Sequence, residues 1–291
     1  MILTLIWCCL PIVIILNYIF AKQTKRTKIY NKKVLIIGGG SGLGESLAHK
    51  LNIGFNKVTI TSRDQNLIDE INTCTNMKAF YCDVFDDSSF ENVLTDYDII
   101  FYCTGLSIPA SLNKSSVKSF ELCEGTNYLG MIKILKNYIS LNKKPFDFIM
   151  IGSTLATFPL EGYSTYSPSK SAMLSFFYST YRELKNMGVN LHFFSPPNMQ
   201  TRGFDIENRT KPKYAKTIES IFRVYDPDDC ANFLIENFQN RKIITIDWFT
   251  YFCHIRFDCE KMIDYLFFPV SIIVLWCAKT FTAISYNIFN K

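Results

Sequence analysis

Histidine is scarce in this chain, with three among 291 residues, and none of the ten cysteines stands in a C-x-x-C spacing. Zinc and iron–sulfur centres need clusters of imidazole and thiolate ligands, so no metal site is expected. The cysteines are scattered singly apart from Cys8-Cys9. That pattern outlines no disulfide framework, and in a reducing compartment such thiols serve as small core residues. Internal repeats and low-complexity tracts do not stand out, which sets aside repeat arrays and disordered linkers. Charge is absent from Met1 to Ala21.

That uncharged stretch is rich in Ile, Leu, Val and Phe, and about 20 apolar residues suffice to cross a bilayer. Pro11 is tolerated there. Lys22, Lys25, Arg26, Lys28, Lys32 and Lys33 follow at once, and such a basic flank belongs on the cytosolic side. A cleaved signal peptide has charge before the apolar run and small residues after it, and neither is present here. Residues 1–21 are therefore expected to form a transmembrane signal-anchor and 22–32 a basic juxtamembrane linker. Beside an apolar span, membrane phospholipid is a better partner for that linker than nucleic acid.

A second apolar stretch, Tyr265 to Ala278, is fourteen residues long; Lys279 interrupts it before it resumes at Phe281 to Phe289. It is short for a span; a tilted span, a re-entrant hairpin and an interfacial helix all stay open, and residues 260–291 are expected to form a membrane-associated segment, with lying on the membrane the preferred reading.

Between these ends, short apolar runs alternate with helical patterns, which argues for a parallel sheet covered on both faces. The runs are Lys33–Ile37, Lys57–Thr61, Lys78–Cys82, Asp98–Cys103, Phe146–Ile151, Asn190–Phe194 and Lys242–Ile246. The reading is one α/β domain over residues 33–250, with 48% hydrophobic residues in the chain to supply its core.

The first strand leads into Gly38-Gly-Gly40-Ser41-Gly42-Leu43-Gly44 and then a helical pattern. A strand, a glycine turn and a helix N-terminus form an anion site, because free backbone N–H groups point at a phosphate. Far downstream, Tyr166 and Lys170 are spaced i, i+4, with Ser153 thirteen residues before the tyrosine. On one helix face a phenol and an ammonium can share a proton-transfer task. The ammonium is expected to lower the phenol from its ordinary value near 10.

Together, in this order and about 120 residues apart, the two motifs resemble the short-chain dehydrogenase/reductase family. The family pattern T-G-x-x-x-G-x-G falls on Ile37, Gly38, Gly42 and Gly44, with Ile37 replacing the usual Thr. The resemblance implies a Rossmann-type doubly wound sheet of strand order 3-2-1-4-5-6-7 and a catalytic set of Asn127, Ser153, Tyr166 and Lys170. In that set Tyr166 is the general acid, Ser153 orients the carbonyl, Lys170 holds the ribose, and Asn127 holds a relay water. Asp83 is expected beside the adenine and Gly105 beside the cofactor, with Pro196 and Thr201 positioning its carboxamide. Tyr102 departs from the family, which has Asn at that point.

Cofactor choice is read at the end of the second strand, Thr61-Ser62-Arg63. A carboxylate there would hold a ribose 2′-hydroxyl, whereas Arg63 suits a 2′-phosphate, so NADPH is expected. Three segments, Asn127-Tyr-Leu-Gly130, Ser195-Pro-Pro197 through Phe204, and Glu207-Asn-Arg-Thr-Lys-Pro212, resemble the 3-ketodihydrosphingosine reductases within the family. That resemblance implies a long-chain keto-lipid substrate at the endoplasmic reticulum membrane, with the catalytic domain facing the cytosol and a lid formed by Gln200 to Tyr225. Homo-oligomerisation is left open. The rival readings are a membrane-bound short-chain reductase of steroid, retinoid or acyl carbonyls, and a silent nucleotide-binding scaffold.

Overall fold

The computed structural model describes residues 28–90 and 93–289. The expected anchor at 1–21 and the start of the basic linker lie outside the described residues.

Seven strands form one parallel sheet: β1 (Lys33–Ile37), β2 (Lys57–Ser62), β3 (Lys78–Tyr81), β4 (Ile99–Tyr102), β5 (Phe146–Ile151), β6 (Val189–Ser195) and β7 (Ile243–Thr245). Their order is β3-β2-β1-β4-β5-β6-β7. All seven apolar runs become strands, with bounds within one residue of the sequence reading. Each is short and apolar because a parallel strand is buried on both faces. In β1, alternate residues serve opposite cores: Leu35 and Ile37 pack below one face, Val34 and Ile36 below the other.

Ten helices are described in chain order: α1 (Gly42–Asn52), α2 (Gln65–Cys74), α3 (Val117–Glu124), α4 (Gly130–Leu141), α5 (Tyr166–Asn186), α6 (Arg202–Thr210), α7 (Lys213–Glu219), α8 (Pro227–Asn237), α9 (Trp248–Ile255) and α10 (Met262–Phe289). On one face of the sheet α4 and α5 contribute Met131, Ile134, Leu135, Met173 and Phe177. On the other, α1 and α8 contribute Leu47, Leu51, Ala231 and Leu234. Strand order reverses where β1 lies beside β4, and a crevice opens at such a switch point outside the carboxyl ends of the strands. The glycine turn after β1 and the loops after β4 and β5 all end there.

The C-terminal region departs from the sequence reading. Lys279 does not interrupt the apolar run, and α10 is continuous from Met262 to Phe289 through Pro269. It is long and apolar enough to cross a membrane by length and composition. The lysine is accommodated because its Nζ donates to the Pro159 carbonyl at 3.0 Å and sits 4.2 Å from the Phe158 ring centre.

The polarity of α10 is inverted relative to a helix in water. Its buried positions are Asp264, Ser271, Leu275, Thr282 and Ser285, at helical spacing along the length. Its exposed positions include Leu266, Ile272, Ile273, Trp276, Ile284 and Ile288. A water-facing helix presents the opposite arrangement. Arg241 grips Asp264 through two nitrogens at 3.0 and 3.1 Å and anchors the start of α10 to the domain.

Candidate active site

The glycine turn is shaped for close backbone approach. Gly38 and Gly42 have φ of 82° and 55°, a region that glycine enters without strain. A side chain at Gly44 would lie 2.2 Å from the Gly38 carbonyl oxygen. The Thr absent at Ile37 is compensated from the neighbouring strand, where Thr61 Oγ1 accepts from the Gly38 N–H at 3.1 Å. Ser41 caps α1 with no side-chain hydrogen bond, so first-turn N–H groups of that helix stay open toward the crevice. Gly40 and Ser41 belong to this turn, but the Leu43 side chain is buried in the core, so it can face a phosphate only through its backbone.

Arg63 is exposed at the end of β2, and the acid beside it is committed elsewhere: Asp64 accepts from Asn66 N and Leu67 N as the cap of α2. Asp83 accepts from Phe85 N at 3.0 Å at the end of β3. Thr201 caps α6 through Phe204 N and closes on the glycine turn, since a Cβ on Gly42 would lie 3.1 Å from Thr201 Cγ2. Pro196 is buried at the end of β6, and its carbonyl lies 3.4 Å from Thr154 Oγ1.

Asn127 sits in a π-helical turn, Gly125–Leu129, between α3 and α4. Such widened turns recur at functional sites because they free backbone groups. Here Tyr102 uses one: its buried hydroxyl donates to the Thr126 carbonyl at 2.6 Å. Gly130 makes room for it, because a Cβ there would come within 2.8 Å of the Tyr102 hydroxyl. The family departure at position 102 is therefore a fitted pair.

The Asn127 amide is tied to protein partners. Its Oδ1 accepts from Leu106 N at 2.7 Å, and its Nδ2 donates to Leu106 O at 2.9 Å and Ser169 Oγ at 2.8 Å. It thereby ties the loop after β4 to α5. Gly105 lies in the same corner, with a Cβ position 3.6 Å from Asn127 Oδ1 and 3.7 Å from Lys170 Nζ.

Ser153, Tyr166 and Lys170 converge as expected. Ser153 caps the short turn after β5 by accepting from Leu155 N at 3.1 Å, and its hydroxyl is within hydrogen-bonding reach of the Tyr166 phenol. Lys170 is buried, 5.7 Å from the Tyr166 ring centre, and its Nζ donates to the Ile151 carbonyl at 2.7 Å. Burial lowers the lysine to about 8.

The phenol does not follow the sequence expectation. Burial pushes Tyr166 above its ordinary range, the Glu207 carboxylate pushes it further, and the Ser153 hydrogen bond only partly opposes them. Desolvation outweighs a lysine whose ammonium is directed at a backbone carbonyl.

Sequence reasoning leaves Lys211 and Tyr163 without a role, and for an acidic rim facing the substrate's amino group it leaves Asp205, Glu207 and Glu219 all open. Lys211, Tyr163, Glu207 and Glu219 meet beside Tyr166. The Tyr163 hydroxyl lies 2.6 Å from Glu207 Oε1 and also reaches Glu219. Lys211 bridges both carboxylates, at 2.9 Å for Glu207. The i, i+4 spacing of Glu207, on α6, and Lys211, its C-cap, was the available signal.

A glycine turn with open N–H groups, a cation at the end of β2 and a free corner at Gly105 suit a nicotinamide dinucleotide. The chain belongs to the short-chain dehydrogenase family, whose pattern, described as short chain dehydrogenase, matches residues 32–212. It is an oxidoreductase of that family, acting on an alcohol or ketone group, and members use NAD(P)(H). Similar curated proteins include a 3-ketodihydrosphingosine reductase of Debaryomyces hansenii, 28% identical over 74% of each chain. One from Dictyostelium discoideum is 24% identical over 78% of this chain and 77% of its own. A 3-dehydrosphinganine reductase of Danio rerio is 25% identical over 73% and 70%.

Among solved structures, a short chain dehydrogenase from Burkholderia cenocepacia in complex with NADP superposes with a TM-score of 0.63 at 21% identity, covering 76% of this chain and 98% of that one. One from Burkholderia phymatum in complex with NAD gives 0.64 at 17%, covering 74% and 89%.

The lowered Lys170 predicts a pH dependence of stability. The unfolded lysine holds its proton up to about 10.5 and the folded one only to about 8, so this group adds stability as pH rises across that window. The stability of Lys170→Met relative to wild type should therefore fall between pH 8 and 10.5 in denaturant titrations. A flat difference would show that burial does not hold this ammonium down.

Proposed function

We propose that the protein reduces 3-ketodihydrosphingosine to dihydrosphingosine with NADPH at a membrane surface. The convergence of Ser153, Tyr166 and Lys170 under α6 and α7 carries this reading, on a chain whose curated relatives in fungus, slime mould and fish bear that activity in their names. When bound, the reduced nicotinamide supplies the hydride to the ketone carbon.

The chain's own residues do the rest. Ser153 holds the carbonyl oxygen by a hydrogen bond that strengthens as negative charge develops there. Tyr166 gives that oxygen its proton. Lys170 binds the ribose and supplies positive charge behind the phenol. Asn127 is a positioning residue: by fixing Leu106 and Ser169 it holds the two walls of the site together. Arg63 pairs with the 2′-phosphate, a role that Asp64 does not contest because it caps α2.

The outward apolar face of α10 supports membrane attachment. In the bilayer interface such a face buries its aliphatic and aromatic side chains while its polar stripe stays on the protein. The lid is its neighbour, since Tyr214 of α7 and Tyr286 of α10 stack edge to face at 5.1 Å. A long-chain substrate would then reach the lid laterally from the lipid, at the cytosolic face of the endoplasmic reticulum in this reading.

Three measurements test these points. Membranes holding the protein, given NADPH and a panel of keto-lipids, should convert 3-ketodihydrosphingosine to its alcohol by mass, and Tyr166→Phe should abolish the product. Conversion of other ketones in its place would overturn the substrate reading. Arg63→Ala should weaken NADPH by roughly 10- to 100-fold, the range of a charge-assisted pair, and leave NADH nearly unchanged; equal losses would refute the phosphate contact. In a chain without residues 1–21, Ile273→Lys combined with Trp276→Lys should move the protein from sedimented vesicles to the supernatant without lowering its melting temperature. Unchanged sedimentation would remove α10 from the membrane.

A further inference from the structure

The network beside Tyr166 sets two acids against one base. It joins two carboxylates, Glu207 and Glu219, with one ammonium, Lys211, and one phenol, Tyr163. Lys211 has a fully buried side chain and cannot turn to solvent. Glu219 is the more deeply buried acid and binds Lys211 through Oε2. Glu207 stays 16% exposed, and both of its contacts use Oε1; its Oε2 accepts no hydrogen bond among the described residues. Glu207 reaches this corner through Tyr163, whose hydroxyl lies 2.6 Å from Glu207 Oε1 and whose ring centre lies 6.2 Å from that of Tyr166, so this carboxylate stands beside the residue that must meet the ketone oxygen.

We propose that Glu207 is the residue that selects a 2-amino ketone over a plain ketone, by pairing with the ammonium on the carbon next to the carbonyl. The proposal rests on the substrate reading above and adds the group that enforces it. An ammonium gives Glu207 Oε2 the partner it lacks among the described residues, while a substrate without one leaves that oxygen partly desolvated with no partner, which is how a site rejects a close analogue. The pairing has a consequence at Tyr166. A cation placed beside Glu207 cancels the field that holds the phenol's proton, so the acid strengthens when the matching substrate is present. Lys211 and Tyr163 set the Glu207 rotamer and act as positioning residues.

The test uses the full-length protein in its membrane or detergent. The kcat/KM is compared for 3-ketodihydrosphingosine and for the same ketone lacking the amino group, with wild type, Glu207→Gln and Glu207→Asp. Wild type should prefer the amino ketone. Glu207→Gln should lose roughly 10- to 100-fold of that preference, the range of a charge-assisted contact, mainly through KM, and should still bind NADPH. Glu207→Asp, which keeps the charge, should recover part of it. Equal losses on both ketones in Glu207→Gln would overturn the assignment and leave the substrate reading intact.

Wild type reducing neither ketone would overturn the substrate reading and the assignment together. A wild-type measurement guards against a variant that fails to fold: dihydrosphingosine should bind about tenfold more tightly than its uncharged N-acetyl form, as a charge-assisted contact requires. Equal binding of the two would sink the proposal.

Discussion

The site depends on the side-chain amide of Asn127. Its three hydrogen bonds join the loop that leaves β4 to the first turn of α5, and those segments carry Gly105 on one side and Tyr166 and Lys170 on the other. An amide can do this because it is both donor and acceptor in one plane. The π turn supplies the needed position, widening the helix so that Asn127 faces inward with no exposed surface. Three elements far apart in sequence thus share one small polar joint.

Burial sets the electrostatics around that joint. The lysine is lowered and the phenol raised for one reason, since each is kept from its charged form by the loss of water. The groups that could oppose this are turned elsewhere: Lys170 toward the Ile151 carbonyl, Lys211 toward the two glutamates. The site as it stands holds its acid protonated and its lysine easier to deprotonate than a lysine in water. Such a balance responds strongly to any charge brought into the crevice, because little solvent is present to screen it.

Most of the sheet was legible because both-face burial leaves a plain mark, a short apolar run between turn residues. All seven strands followed from that mark, whereas their order followed from the family resemblance. Ser153, Tyr166, Lys170 and the glycine turn were legible because their spacing is local to a turn or a helix face. The network of Tyr163, Glu207, Lys211 and Glu219 was not, because it closes across the loop before α5, the end of α6 and α7. The direction of the Tyr166 shift was missed for a related reason: spacing reports which groups are neighbours, but not how much water each has lost. The continuity of α10 was missed because Lys279 reads as a break in an apolar run, and only the tertiary fold supplies its carbonyl partner at Pro159.

Tyr102 and Gly130 carry an implication for how this chain can change. The hydroxyl of one occupies the space that a side chain on the other would need, and the same hydroxyl satisfies the Thr126 carbonyl that the π turn releases. Replacing Tyr102 with the smaller Asn usual in the family would leave a void and an unpaired carbonyl. Adding a methyl at Gly130 first would force the phenol out of a core with no slack. Each residue is therefore acceptable only against the background of its partner. A lineage moving between the two solutions must pass through a less stable intermediate or change both positions together, so the pair should be inherited as one unit.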